Sequence, residues 1–134
     1  MPYPPAWRRI RGDVGTTTAA RLGAGGKFLG YLNLTPRQGR ESLGNWLVFR
    51  VDHNGDEGDR QVRRLAGATN LAFGSVRGSC VKDAYTTQTG SHYIEIACLV
   101  VGPRGAAVVV GAAPPRDWAR QSGDIARAIV GVRV

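Results

Sequence analysis

The residues that could most readily do chemistry are two carboxylates, Asp83 and Glu95, which lie in strand-like runs on either side of a turn-rich stretch. If the chain folds back midway between them, the two side chains lie directly opposite each other on an antiparallel ladder, about 5 Å apart. Carboxylates at that distance share a proton or need a cation between them. With Tyr85, Tyr93 and His92 nearby, an acid/base pair or half of a metal site is one interpretation.

A structural interpretation explains the same pair without catalysis. The chain has sixteen arginines, counted along the sequence, so that one or more guanidinium groups could neutralise the two carboxylates on a solvated sheet face. A shift of register by one residue would also separate them. Both interpretations stay open, and no catalytic residue is assigned.

The register depends on Cys80 and Cys98, the only cysteines in the chain. Their midpoint, residue 89, falls within the turn-rich stretch from Thr86 to Ser91, so the same fold-back brings the two cysteines opposite each other. This spacing favours a disulfide, and disulfides persist in oxidising compartments. We therefore expect a secreted or cell-envelope protein; a cytoplasmic protein with two buried thiols is the alternative.

The first residues do not provide an export signal. Met1 is followed by a Pro-rich stretch and then by three arginines at positions 8, 9 and 11, without an apolar segment or a cleavage site. An extracytoplasmic location therefore requires a leader that is absent from this chain. There is also no run of about 18 apolar residues, so we expect no transmembrane segment.

Other catalytic and metal-binding patterns are missing from the sequence. No Gly-x-Ser-x-Gly elbow, dinucleotide fingerprint or zinc-ligand spacing occurs. The acidic stretch 52–59 resembles a calcium loop, but Gly55 at loop position 4 and Arg63 at position 12 do not fit an EF-hand. We expect a solvated loop there, no metal, no cofactor and no enzymatic activity; a small hydrolase or metal-dependent enzyme that uses Asp83 and Glu95 is an alternative.

The formal net charge is +8 and the isoelectric point is near 10.5. Such a charge is typical of binding to nucleic acid or to another polyanion. However, the basic residues are scattered apart from two clusters, near 8–11 and 60–64, and neither cluster is interleaved with aromatic residues. The pattern disfavours nucleic acid, and a basic module for an anionic polymer remains a third possibility.

The elements that must position these residues begin with a hairpin. Strand-like segments 16–22 and 27–34 flank a Gly-rich turn. Pro36 is expected to end the second strand, because it cannot donate a ladder hydrogen bond. A helix follows, since apolar residues recur on one helical face at Leu43, Trp46, Leu47 and Val51, and Asn54-Gly55 is expected to end it.

The second half of the chain predicts a sheet and a closing helix. A short edge strand at 60–65 precedes a meander at 76–87, 92–101 and 105–112, and Pro114-Pro115 opens a terminal helix. The fold class is therefore α+β, an antiparallel sheet of N-terminal hairpin, helix and β-meander with the C-terminal helix packed on it. The length of 134 residues suits one domain, assigned to residues 13–134 after an N-terminal extension at 1–12.

Several segments resemble a known fold family. Segment 90–96 resembles the Gly-x-x-Tyr-Tyr strand of PsbP, and Trp118 with the apolar residues after it resembles the closing helix of that fold. Segments 31–39, 45–46 and 77–80 resemble uncharacterised exported actinobacterial proteins of the LpqN type. The resemblance implies a PsbP-like fold and an extracytoplasmic, non-enzymatic module.

The leading hypothesis is thus an exported or cell-envelope domain that binds or scaffolds a protein, a small molecule or an anionic envelope ligand. Its binding surface is predicted on the sheet face that bears the carboxylates, together with polar residues near the first helix. The candidate ligand-binding residues are Arg37, Asn45, His53, Asp83, Tyr85, Tyr93 and Glu95.

Overall fold

A computed structural model describes residues 1–37 and 39–134. The chain forms one seven-stranded antiparallel sheet and two α-helices, which confirms the α+β class. The strands are β1 (Arg8–Ile10), β2 (Thr17–Leu22), β3 (Phe28–Pro36), β4 (Arg60–Phe73), β5 (Val76–Thr86), β6 (His92–Gly102) and β7 (Gly105–Ala113), and the helices are α1 (Trp46–Asp56) and α2 (Pro115–Val130). The strand order across the sheet is β1-β2-β3-β7-β6-β5-β4.

The predicted hairpin and meander are confirmed. β2 pairs with β3 after a short 3-10 turn at Ala24–Gly26, where two glycines adopt positive φ. β5, β6 and β7 follow one another as antiparallel neighbours. The sheet therefore has the predicted antiparallel connectivity.

The expected register between β5 and β6 is also confirmed. Cys80 pairs with Cys98 and Asp83 pairs with Glu95. The two cysteines form a disulfide, with a Cα–Cα distance of 4.1 Å. Because the side chains of a strand alternate between faces, the disulfide and the carboxylate pair lie on opposite faces of the sheet.

Three boundaries differ from those predicted. β3 continues through Pro36, because this strand pairs there with Ala107 of β7 and a single missing donor does not end the ladder. The acidic stretch is not one solvated loop, since α1 runs on to Asp56 and only the residues after it form the connection. The predicted edge strand at 60–65 extends to Phe73 as β4, with three register irregularities.

The N-terminal segment contributes to the packed domain. β1 pairs with β2 at the sheet edge, and the side chain of Trp7 is 2% exposed in the core beneath α2. The Trp7 indole Nε1 donates a hydrogen bond to Asp124 Oδ2 at 3.1 Å. Packing and pairing therefore extend into the residues 1–12 that the sequence pattern sets apart as an extension.

The two helices cover opposite faces of the sheet. On one face α1 packs against β4, β5 and β6, and Trp46 joins a core cluster with Val81, Ala97 and Leu99. On the other face α2 packs against β3, β6 and β7, where Ile125 belongs to the larger core cluster. Each helix therefore covers only part of its face, and the β3–β7 part of the α1 face is left open.

None of the described helices is long and apolar enough to cross a membrane.

Candidate functional site

The predicted carboxylate pair is buried rather than solvated. Asp83 and Glu95 are each 0% exposed, because α1 lies over this part of the sheet. Arg50 of α1 donates two hydrogen bonds to Glu95, from Nε to Oε1 at 2.9 Å and from Nη2 to Oε2 at 3.0 Å. The prediction of a solvated sheet face was wrong, although an arginine does pair with one of the two carboxylates, Glu95.

Asn54 joins the two carboxylates. Its Nδ2 donates to Asp83 Oδ2 at 3.3 Å and to Glu95 Oε1 at 3.0 Å, and the residue is 1% exposed. Asn54 was expected to end the helix, but it lies one turn after Arg50 within α1. Trp46, Arg50 and Asn54 are four residues apart and so form the helix stripe that faces the sheet.

The electrostatics of this cluster favour one proton on the carboxylate pair. Burial, and next the charge of Glu95, raise the pKa of Asp83 to about 8. Burial alone would lower the pKa of Arg50, but the charge and hydrogen bonds of Glu95 outweigh it and raise that pKa. These shifts favour a neutral carboxyl group at Asp83 beside the ion pair of Arg50 and Glu95.

Three tyrosines continue the same face beyond the carboxylates. The hydroxyl groups of Tyr31 and Tyr85 are 3.2 Å apart, and the ring of Tyr93 lies about 6 Å from both rings. Burial is the main cause that raises the pKa of Tyr31 and of Tyr85. Both phenols are therefore neutral at physiological pH and act as hydrogen-bonding parts of the core.

An open cleft of about 440 Å³ lies beside this cluster. Its floor is the uncovered part of the α1 face, formed by β3 and β7, and its wall is the adjacent face of α1. Residues at its rim come from the loop before β2 and the segment before α1. The lining includes Tyr31, Asn33, Thr35, Val108 and Val110 on the floor, Trp46, Phe49, Arg50, His53 and Glu57 on the wall, and Asp13, Val14, Thr16 and Glu41 at the rim.

The wall of the cleft carries a ladder of three rings. Phe49 stacks on Trp46 with ring centroids 5.9 Å apart, and His53 stacks on Phe49 at 6.1 Å. Trp46 is fixed from below because its Nε1 donates to the carbonyl oxygen of Ala97 at 2.8 Å. His53 Nε2 lies 2.9 Å from Glu57 Oε1 at the open end. The wall is therefore held in place by both the sheet and the helix itself.

The seven predicted ligand-binding residues fall into three groups. His53 lines the cleft. Asp83, Tyr85, Tyr93 and Glu95 lie together at the buried cluster and are not among the lining residues.

The remaining two residues, Arg37 and Asn45, have positions that support local backbone structure. The backbone N–H of Arg37 donates to Ala106 O, just past the end of β3. Asn45 precedes α1 and exchanges hydrogen bonds with Ser42, with its Oδ1 accepting from Ser42 N at 2.7 Å.

The sequence pattern did not identify Tyr31, Arg50 or Asn54. Tyr31 is separated from the carboxylates by more than fifty residues and reaches them only because β3 pairs with β7, which lies next to β6. Arg50 and Asn54 follow Trp46 at a helical spacing of four. That spacing was a usable signal, since it places both polar residues on the buried side of the helix.

The structure bears on the alternatives of a hydrolase and of a metal-dependent enzyme. An enzyme that uses Asp83 and Glu95 would need substrate to reach two carboxylates that are 0% exposed. Along the described chain, no group of three or more His, Cys, Asp or Glu side chains could hold a metal ion.

The arginines of β4 are divided between the two faces of the sheet. Arg60 and Arg63 pair with Thr86 and Ala84, on the same face as the disulfide, whereas Arg64 pairs with Asp83 on the other. They therefore do not form one continuous basic platform.

Comparisons with known proteins identify the fold but no family. No protein-family model matches the chain, and no curated protein matches its sequence. A solved structure from Pseudomonas aeruginosa, PA94, a protein of unknown function suggested to be a regulator, is similar with a TM-score of 0.68 and 10% identity over 98% of this chain and 88% of that chain. A Bacteroides thetaiotaomicron structure has a TM-score of 0.49 and 12% identity over 91% of this chain and 40% of that chain. The likeness to PA94 shows that the two chains share an overall fold.

Proposed function

We propose that this chain is a non-enzymatic binding module that works outside the reducing interior of the cell and takes its ligand in the cleft between α1 and the open part of the sheet. The observation that carries this proposal is the cleft itself, an open cavity of about 440 Å³ with polar and apolar residues on its floor and an aromatic wall. Cavities of a few hundred cubic ångströms that combine apolar surface with a few polar groups suit small ligands or single side chains.

The arrangement of polar groups supports binding rather than turnover. The hydroxyl groups at the cleft serve local structure, since Thr35 Oγ1 donates to Asn33 Oδ1 and Thr16 Oγ1 donates to the carbonyl of Asp13. The imidazole of His53 interacts with Glu57, 2.9 Å away. A nucleophile needs a hydroxyl or thiol within hydrogen-bond reach of a base, and among the described lining residues the contacts of Thr16, Thr35 and His53 form no such pair.

The disulfide supports the proposed location. A bridge between Cys80 and Cys98 is expected to persist only where glutathione and thioredoxin do not reduce it. The resemblance of segment 90–96 to PsbP-like and LpqN-type exported proteins belongs to the same proposal. Titration of free thiols in denatured, natively isolated protein tests it, and two titratable thiols per chain would contradict the location.

Two substitutions of the same kind test the binding site. Val108→Trp places a large ring on the cleft floor, whereas Val48→Trp places one on the exposed side of α1, where Val48 is 63% exposed and does not line the cleft. The probes are small amines, carboxylates and neutral sugars, added separately while the backbone amide resonances are recorded by NMR.

We expect at least one probe class to shift the resonances of Asn33, Phe49 and His53 together. Val108→Trp should abolish these shifts, and Val48→Trp should leave them unchanged. Shifts that map to another surface, or no shifts with any probe, would contradict a binding role for the cleft.

A further inference from the structure

The charge at the cleft is opposite to the charge of the whole molecule. The chain has 18 Lys and Arg residues and 10 Asp and Glu residues. Among the described lining residues, three are acidic, namely Asp13, Glu41 and Glu57, and only Arg50 is Lys or Arg. The described lining of the cleft therefore has more acidic than basic residues, whereas the formal net charge of the protein is +8.

The one arginine does not offset this negative charge. Two of its nitrogens bind the carboxylate of Glu95, and its side chain is only 13% exposed. The Arg50–Glu95 pair is therefore neutral as a unit. The exposed carboxylates that a ligand meets in the cleft are those of Asp13 and Glu57.

Aromatic rings enclose the same space. Phe49 lies in the wall within the ladder from Trp46 to His53, and Tyr31 lies on the floor. Phe49 stacks with both Trp46 and His53 and so adds carbon surface, whereas the face of a ring such as Tyr31 carries negative electrostatic potential and attracts organic cations within about 6 Å. The aromatic surface and the carboxylates therefore favour the same sign of ligand charge.

From this coincidence we propose that the cleft binds an organic cation, that is, an amine or guanidinium group carried either by a free small molecule or by a Lys or Arg side chain of a peptide. The inference rests on the proposed binding function and specifies its ligand class. The carboxylates of Asp13 and Glu57 pair with the cationic group, and the rings of Tyr31 and Phe49 pack against its carbon atoms.

An anionic ligand fits the cleft less well. It would lie beside the exposed carboxylates of Asp13 and Glu57, and Arg50 is already bound to Glu95, so that like-charge repulsion would oppose binding. A neutral sugar could stack on the rings, but it would gain nothing from the carboxylates. These two ligand classes serve as the competing outcomes in the test.

The test measures binding of cations by NMR titration and calorimetry. Spermidine represents a free amine, and an acetylated, amidated hexapeptide with two lysines represents a peptide source; citrate and glucose are the anionic and neutral controls. The carboxylates are removed by the double variant Asp13→Asn/Glu57→Gln. The matched control is Asp52→Asn/Asp56→Asn, because both residues are exposed on α1 and neither lines the cleft.

We expect spermidine or the peptide to shift the cleft resonances and the Asp13→Asn/Glu57→Gln variant to weaken that binding by about threefold to tenfold, as for partly exposed charge pairs. The control variant should stay within about twofold, and raising the salt from about 50 mM to about 500 mM should weaken binding by screening. Preference for spermidine identifies a free amine, and preference for the peptide identifies a side chain.

Other outcomes separate this inference from the binding function. Binding of citrate or glucose in the cleft, without binding of either cation, would overturn the cation inference and leave the binding function standing. Equal weakening by both double variants would also overturn it, since general charge rather than the lining carboxylates would then be responsible. Failure of every probe at the cleft would overturn both proposals.

Discussion

At the scale of single residues, the buried cluster of Arg50, Asn54, Asp83 and Glu95 depends on the pairing of opposite charges. Glu95 is fully buried, and its two oxygens accept from Arg50 while one of them also accepts from Asn54. A buried charge is tolerated when it is paired and hydrogen-bonded. A second carboxylate at Asp83 would exceed what one arginine neutralises, and burial, followed by the charge of Glu95, raises the pKa of Asp83.

A substitution at Asp83 tests this protonation. In the unfolded chain the carboxyl group loses its proton near its usual pKa, about 4, whereas in the folded chain it does so near 8. Between these pH values the folded state binds more protons, so that stability falls as the pH rises, by up to about 1.4 kcal/mol per pH unit. Asp83→Asn removes this loss, because the amide stays neutral and its oxygen can still accept from Asn54.

The expected result is a difference in the free energy of unfolding, variant minus wild type, that grows between about pH 5 and about pH 8 and levels off above that. Urea denaturation at a series of pH values measures it. Asp52→Asn, at an exposed position, is the control and should follow the wild-type profile. Parallel profiles for Asp83→Asn and the wild type would show that Asp83 is already ionised in the folded protein.

Removal of the paired charge should be costly. Glu95→Gln removes the carboxylate that binds two nitrogens of Arg50, at a site where only 13% of the Arg50 side chain is exposed, and we expect a loss of roughly 3 kcal/mol of stability. Adding Arg50→Met removes the stranded charge and should recover more than half of the loss. Chemical denaturation of the two single variants and the double variant measures the coupling, and simple additivity would refute the pairing.

The sequence allowed the carboxylate pairing to be predicted but not its burial. Two cysteines with a common midpoint define the register, and every cross-strand neighbour between Cys80 and Tyr85 follows from it. Which helix lies over which face does not follow from the register, because it depends on long-range packing of Trp46 against Ala97. The cleft was missed for the same reason, since its wall and floor come from segments whose contact is not local.

At the scale of elements, β4 forms one of the two edges of the sheet and is largely exposed. It is fourteen residues long, and its register is irregular at three places. Gln61 and Asn70 adopt positive φ along it. Long regular edges invite pairing with other chains, and irregular, positively charged edges discourage it. The arginines of β4 therefore suit a strand that protects the edge of the sheet.

Two glycine substitutions test how α2 seats on the sheet. A Cβ at Gly111 of β7 would meet the Ile125 side chain of α2, whereas a Cβ at Gly123 would meet only the end of the Arg127 side chain at 3.6 Å. Gly111→Ala should therefore destabilise the protein by about 1–3 kcal/mol through overpacking, and Gly123→Ala should stabilise it by up to about 1 kcal/mol through helix propensity. Thermal unfolding of both variants measures this, and equal signs would contradict the described packing.

At the scale of the whole molecule, the predicted α+β architecture and its closing helix are confirmed. They could be predicted because strand alternation and turn residues are local signals. The continuity of β4 and the pairing of β1 were harder to predict from the sequence. β4 contains bulges that break the alternation, and β1 has only three residues and depends on β2 for its pairing. Trp7 carries no periodic pattern that would have placed it in the core.

The disulfide should contribute a measurable share of the stability. It closes a loop with a sequence separation of 18, and a loop of that size is worth about 3 kcal/mol in the chain-entropy description. The double variant Cys80→Ala/Cys98→Ala should lower the free energy of unfolding by that amount in urea denaturation. Reduction of the wild type should produce a similar loss, and a reduced protein that is as stable as the oxidised one would contradict the prediction.

The position of the bridge links the two sides of the sheet. It joins β5 and β6 three residues from Asp83 and three residues from Glu95, and these carboxylates are the groups that Arg50 and Asn54 of α1 hold. Cleavage by a reductant would loosen the two strands on which that helix is anchored. Reduction of the disulfide on the α2 face would then weaken the attachment of α1, the wall of the cleft, on the opposite face.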